Sequence, residues 1–317
     1  MEFESLPEQV RKRVKVFDDG ATIKIPLPLI GFQNMFDPGP GGVYLLANYF
    51  TLATFISTKT PSFMQKYLAN TGTYDVYAVQ TILIIKPHFY TVIRPYECWE
   101  ELESHIDLVS FYRSTIVTSQ TIRVKKTQQI VSQVLAKLIT IDSTTKKSHH
   151  IPEMFCERFS KYHKKPHPTF KDIKNFIEIN RNMSKEALKS LFLESDSFRE
   201  VFKVDLTASE TDQDWNYHLS NSVYIRICGD TLKQAISKNK TFNRTFGLHK
   251  DSMKIPRVNN SYLKECKAGD ELRILCILHI SNPQKVEFRI FKMANVKEDV
   301  RIVYVGEMQI DIHTSKL

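Results

Sequence analysis

Residues 212–224 read DQDWNYHLSNSVY, and their polar side chains alternate through Asp212, Asp214, Asn216 and His218. A period of two puts such side chains on one side of an extended segment, here just ahead of a helix expected over 220–236. A carboxylate, an amide and an imidazole beside a helix N-terminus supply a proton acceptor, an orienting donor and a group that titrates near neutrality, next to the positive end of the helix dipole. That set can polarise a carbonyl. The same residue types also build turns and helix caps, with His218 as an ordinary hydrogen-bonded side chain.

The segment resembles the signature of plant and bacterial acyl-carrier-protein thioesterases, a double hotdog family, in which D-x-D-x-N-x-H-x-N-N is followed shortly by an aromatic residue. Asp212, Asp214, Asn216, His218 and Asn221 stand in that pattern, Tyr224 holds the aromatic place, and Ser220 replaces one asparagine. Downstream, YLKECKAGDEL resembles the family's Y-x-x-E-C-G segment. It places Glu265 and Cys266 on the family's catalytic glutamate and adjacent cysteine, with Lys267 where the family has glycine. A polar stretch, 237–260, makes the gap between the two motifs longer than is usual in the family.

The resemblance implies hydrolysis of an acyl thioester, carried by acyl-CoA or an acyl carrier protein, with no cofactor and no metal. Asp214, Asn216, His218 and Glu265 would form the catalytic constellation, supported by Asp212, Ser220, Asn221, Tyr224 and Cys266. Asn216 and the helix N-terminal amides would bind the thioester oxygen, a task in which one preorganised donor contributes roughly 2.7–4 kcal/mol. Glu265, oriented by His218, would activate water or attack directly, with water activation preferred. Cys266 is an alternative nucleophile, because a thiolate is intrinsically reactive and Lys264 and Lys267 flank it. Cys98, Cys156, Cys228 and Cys276 read as inert or packing thiols.

Elements that would position these residues recur in two halves. The first half offers a strand over 21–30, an apolar helix within 43–68, and strands over 74–86, 102–111, 114–124 and 129–142. The second offers a strand over 198–208, the helix over 220–236, and strands over 271–281, 286–293 and 300–312. An offset of about 175 positions puts Asp37 on Asp212 and Tyr49 on Tyr224. These readings predict an α+β fold, a tandem hotdog in which each unit is a curved antiparallel sheet wrapped around a central helix, which accounts for helices apolar nearly all round. The expected organisation is an N-terminal unit over 1–145, a basic linker over 146–172 and a C-terminal unit over 173–317. Paired units can cover sheet edges, and a homodimer is compatible with the same logic.

The first half keeps Asp37 and Tyr49 but has Gly39, Gly41 and Val43 where Asp214, Asn216 and His218 stand, so its site is expected to be degenerate. Its GPGG run reads as a tight turn into the helix, with a weak case for an anion nest. A helix with the sequence MSKEALKSLFLE lies within 170–195 and reads as cover for the sheet or linker.

Composition limits the remaining classes. Hydrophobic content of 42% in 317 residues supports a large core. No apolar run reaches the roughly 18 residues of a spanning helix. The N-terminus contains acidic residues without an apolar stretch, unlike a secretory or organellar leader. Five cysteines without C-x-x-C spacing fit reduced thiols, so a cytoplasmic setting is expected. The net charge of +9 favours anionic partners, but scattered lysines and the absence of a nucleic-acid-binding motif argue against specific nucleic-acid binding. His149, His150, His163 and His167 lack the paired cysteines of a zinc site. There is neither a G-x-S-x-G elbow nor an H-E-x-x-H helix. Two rivals remain: a non-catalytic acyl-thioester- or lipid-binding double hotdog protein, and a hydroxyacyl-thioester dehydratase.

Overall fold

A computed structural model of the chain describes residues 8, 12–17, 20–27, 40–59, 63, 74–87, 89–92, 102–164, 170, 199–214, 217–247, 253–293 and 301–312. The chain divides into two compact units, one of residues 1–32 and 48–171 and one of residues 33–47 and 172–317.

In the first unit, β1 (Lys15–Phe17), β2 (Thr22–Leu27), β3 (Tyr74–Ile85), β4 (Leu102–Tyr112), β5 (Thr115–Val124) and β6 (Ile130–Asp142) are ordered β1-β2-β4-β5-β6-β3. Each of these pairings is antiparallel. Ile23, Ile25 and Leu27 are buried while Thr22, Lys24 and Pro26 are half-buried, as the period-two rule requires for a strand with a single core face. Helix α1 (Pro40–Lys59) follows β2. Gln120 of β5, itself buried, ties the sheet to that helix: its Nε2 donates to Phe50 O at 3.3 Å and to Ser104 Oγ at 2.9 Å, and its Oε1 accepts from Thr54 Oγ1. A buried amide satisfied in this way fixes the helix against the strands more specifically than apolar contact alone.

The second unit repeats this plan. Strands β7 (Arg199–Thr207), β8 (Met253–Tyr262), β9 (Glu271–His279), β10 (Lys285–Met293) and β11 (Arg301–Ile312) are ordered β8-β11-β10-β9-β7, antiparallel throughout. Numbering each unit's strands from β2 and from β7, both orders are first-third-fourth-fifth-second, and along the chain a helix follows the first strand of each series. The repeat inferred from sequence is thus a repeat of topology. Helix α3 (Asn221–Lys238) buries Val223, Tyr224, Ile227, Cys228, Leu232 and Ala235, leaving its two end residues and a narrow stripe through Asp230, Lys233 and Ser237 exposed. Cys276 of β9 and Cys228 of α3 are both fully buried, and the nearby Cys228 adds to the burial that raises the Cys276 thiol. Leu275 and Ile277 form a buried cluster with Phe291.

Two sequence expectations change. The stretch 237–260, read as a polar insertion, holds the end of α3, helix α4 (Lys240–Phe246) and most of β8. Asn239 caps α4, its side chain accepting from the N–H groups of Thr241 and Phe242. The supposed linker is also packed structure up to residue 164. Helix α2 (Glu153–Arg158) buries Phe155, which together with the buried Phe159 packs beside Phe111 at the end of β4. His163 is exposed, as expected of a linker residue, while its ring stacks on Tyr112 and its backbone pairs with Phe111 as an isolated bridge. The helix expected within 170–195 lies outside the described residues, Phe170 apart.

Candidate active site

The site is built where β7 ends and β9 begins. These strands pair antiparallel, with Thr207 opposite Glu271, so the segment after β7 and the segment before β9 emerge side by side at one end of the sheet. Backbone bonds hold them together: Ala208 N–H donates to Asp270 O and Gly269 N–H to Ala208 O, each at 2.9 Å. Gly269 has φ +82°, a left-handed conformation that favours glycine, and it shapes this turn. The other end of the segment is pinned to β11, where Val303 O accepts from Leu263 N–H at 2.9 Å and from Lys264 N–H at 3.2 Å.

Between β7 and α3, the described residues 212–214 and 217–220 do not run as one extended segment, contrary to what alternation suggested. They fold back on themselves. Gln213 pairs antiparallel with Leu219, Asp214 N–H donates to His218 O at 2.8 Å, and Tyr217 N–H donates to Asp214 O at 3.0 Å. Tyr217 takes φ 60°, which costs a non-glycine residue about 1–2 kcal/mol. Strain of this kind is retained where surrounding contacts enforce it, often at functional sites. The Asp214 carboxylate accepts from His218 N–H at 3.4 Å, so it helps hold the turn itself.

This turn delivers His218 to Glu265. His218 Nε2 lies 3.1 Å from Glu265 Oε2, within hydrogen-bonding reach. The neighbouring residues make the same connection through the backbone, Leu219 N–H donating to Cys266 O at 2.8 Å. The His218 side chain is 20% exposed and that of Glu265 49%, so the imidazole is largely enclosed and the carboxylate is open to water. An imidazole holding a water-accessible carboxylate is an arrangement that can activate a water molecule.

The remaining expected site residues take distinct places. Asn216 lies outside the described residues, as does Trp215. Asp212 is half-buried, and its carboxylate accepts from Arg226 Nη2 of α3 at 2.7 Å. Ser220 is the residue at the N-cap of α3; its side chain caps no amide and instead bonds to Ser222 Oγ at 3.1 Å. Asn221 opens the helix and is exposed. Tyr224 is buried, stacks on Tyr304 with ring centroids 5.0 Å apart, and meets Tyr262 edge-on. Burial, with the adjacent Cys266, pushes its hydroxyl far above the ordinary tyrosine range.

Cys266 points inward and is fully buried. Burial raises its thiol above the usual cysteine range, only partly offset by a hydrogen bond with Tyr224, and Asp270 adds to the rise. This setting works against Cys266 as a nucleophile, because a thiolate would have to form in a buried position beside a carboxylate. The lysine that bears on Cys266 is Lys292, which pairs with Asp270 at 2.7 Å. Cys228 is likewise buried with a raised pKa, and Tyr304 donates to Asn260 Oδ1 at 2.6 Å in the same interior. Sequence reading missed Arg226; the available signal was a single cation in the otherwise apolar run Val223–Gly229.

In the first half of the chain, Asp37 and Gly39 lie outside the described residues, and Tyr49 is buried within α1. No described helix is long and apolar enough to cross a membrane.

Neither a family model nor a curated protein matches the sequence. Among solved structures, the chain is similar to an acyl-ACP thioesterase from Bacteroides thetaiotaomicron VPI-5482, at 15% identity and TM-score 0.55 over 98% of this chain and 100% of that one. It is also similar to the 12:0-ACP thioesterase from Umbellularia californica, at 12% identity and TM-score 0.60 over 93% of this chain and 95% of that one. At such identities the likeness establishes the fold alone, the α+β tandem hotdog expected from the sequence.

Proposed function

We propose that this protein hydrolyses fatty acyl thioesters, of coenzyme A or of an acyl carrier protein, to a free acid and a thiol. The observation that carries this reading is the His218–Glu265 contact of 3.1 Å in a chain whose fold is that of thioesterases. Two residues far apart in sequence meet, and they are the pair that the motif resemblance selects.

In the proposed reaction Glu265 takes a proton from water as the water attacks the thioester carbonyl. His218 orients the carboxylate and stabilises its charge. Asn216 and the first amides of α3 receive the developing oxyanion, the helix dipole adding to their effect. Asp214 maintains the turn that presents His218. The thiol leaves as the tetrahedral intermediate collapses, protonated by the group that activated the water. The excess of basic residues suits either phosphorylated carrier.

The test is thiol release from medium- and long-chain acyl-CoA and acyl-carrier-protein thioesters, comparing the unaltered chain with His218→Ala and Glu265→Ala. Turnover that both substitutions abolish is the expected result. Absence of turnover on every thioester, with acyl binding retained, would replace hydrolysis with a binding role.

A further inference from the structure

We infer that Arg226 is a positioning residue, a clamp on helix α3 that locks the His218 turn in register with Glu265 through its ion pair with Asp212. The inference rests on the proposed hydrolysis for its kinetic consequence, though not for its structural one.

The turn has two anchors. On its return side, Leu219 is buried and its N–H donates to Cys266 O, the link to the Glu265 segment. On its outgoing side, Asp212 is the anchor, and it is held three times. Its N–H donates to Ser209 O at 3.1 Å, its carbonyl accepts from Ser220 N–H at 3.0 Å, and its carboxylate accepts from Arg226 at 2.7 Å. The first two bonds stay within the connecting segment and the helix cap. The third joins that segment to the body of the helix. Arg226 also lies 3.6 Å from Asp230, one turn further on, which steadies the guanidinium over the helix surface. Both partners of the Arg226–Asp212 pair are partly shielded, with side chains 33% and 18% exposed, so solvent screens it less than a fully exposed pair.

A clamp is needed because the turn is strained. Tyr217, immediately before His218, holds a left-handed φ and is itself 76% exposed, so its own side chain gives the turn little support. If the outgoing side is released, the turn can relax toward ordinary backbone angles, and His218 then moves relative to Glu265. The first half of the chain supplies an internal comparison. The offset that puts Asp37 on Asp212 and Tyr49 on Tyr224 puts Thr51 on Arg226, since 226 − 175 = 51. Where the polar triplet has been replaced by Gly39, Gly41 and Val43, the arginine is also missing. Clamp and site occur together in this chain and are lost together.

The test combines amide hydrogen exchange with steady-state kinetics on the full chain and its Arg226→Gln and Arg226→Lys variants, using medium- and long-chain acyl-CoA. In Arg226→Gln, exchange at the amides of Leu219 and Ser220 should accelerate about tenfold, while amides of β9 and β10 remain as protected as in the unaltered chain. The kcat should fall about tenfold with KM changed less than about twofold, the pattern of a misplaced catalytic group. Arg226→Lys, which keeps the charge, should recover most of both. Unchanged exchange in Arg226→Gln, loss of protection throughout the unit, or a lysine variant no better than glutamine would each overturn the clamp. If the unaltered chain turns over no thioester, the proposed activity fails, and the exchange comparison alone then decides whether Arg226 holds the turn.

Discussion

His218 Nε2 and Glu265 Oε2 lie 3.1 Å apart although helix α3, helix α4 and strand β8 intervene between them in the chain. If they act as one unit, removing either removes the function of both. We expect His218→Ala and Glu265→Gln each to lower kcat/KM by about 100-fold or more, and the double variant to be little worse than either single one. Additive losses would show that the two residues act independently.

Cys266 is adjacent to Glu265 but faces the core. Cys266→Ala should retain turnover within about threefold of the unaltered chain, while losing about 1 kcal/mol of stability from the vacated space and the broken bond with Tyr224. Mass spectrometry after alkylation of the folded protein is a second check. Among the described cysteines, Cys156 should label first, because Cys228, Cys266 and Cys276 are buried. Rapid labelling of Cys266 with loss of activity would restore the nucleophile reading.

Gly306 lies two residues after Tyr304 on the same side of β11, and a Cβ at 306 would run into the Tyr304 ring. That ring stacks on Tyr224 near the N-terminus of α3 and cannot move away without disturbing its bond to Asn260. Gly306→Ala should therefore cost about 1–3 kcal/mol in urea unfolding, the usual range for overpacking a filled core. A change below about 0.5 kcal/mol would mean that the tyrosine cluster adapts freely.

His279 on β9 and Glu287 on β10 give the second unit a stability that depends on pH. The hydrogen bond to Glu287 raises His279 above the ordinary imidazole range. Burial pushes Glu287 up, but the bonds from His279 and Arg289 outweigh it and hold the carboxylate below its usual range. A histidine raised on folding stabilises fully below its unfolded pKa of about 6.5, and loses that contribution as pH rises through the folded value. The depressed glutamate stabilises above its unfolded pKa of about 4.3 and loses it as pH falls through the folded value. Both contributions are present between about pH 4.3 and 6.5. The gap in urea midpoint between the unaltered chain and His279→Asn should accordingly be larger at pH 6 than at pH 9; an equal gap at both would remove the linkage.

Local sequence determined the elements whose residues announce themselves. β3, β4, β5, β6, β9, β10 and β11 carry β-branched and aromatic runs, and the apolar stretch before residue 59 and the run after Ser220 become helices because their side chains can be buried nearly all round. The motif residues and their types were equally legible. β8 was not, because MKIPRVNNSY contains a proline, an arginine and two asparagines. Its polar Asn260 sits in the core, where Tyr304, from the neighbouring strand, donates a hydrogen bond to its side-chain oxygen. The turn at 213–219 was misread as extended because alternation describes side-chain polarity and does not register a reversal closed by backbone bonds. Tertiary structure alone decided that His218 meets Glu265, that Cys266 turns inward, and that Arg226 reaches Asp212. Each depends on the antiparallel pairing of β7 with β9 and on α3 packing against them, long-range contacts whose free energy comes from burying both elements together and is carried by no single segment of the chain.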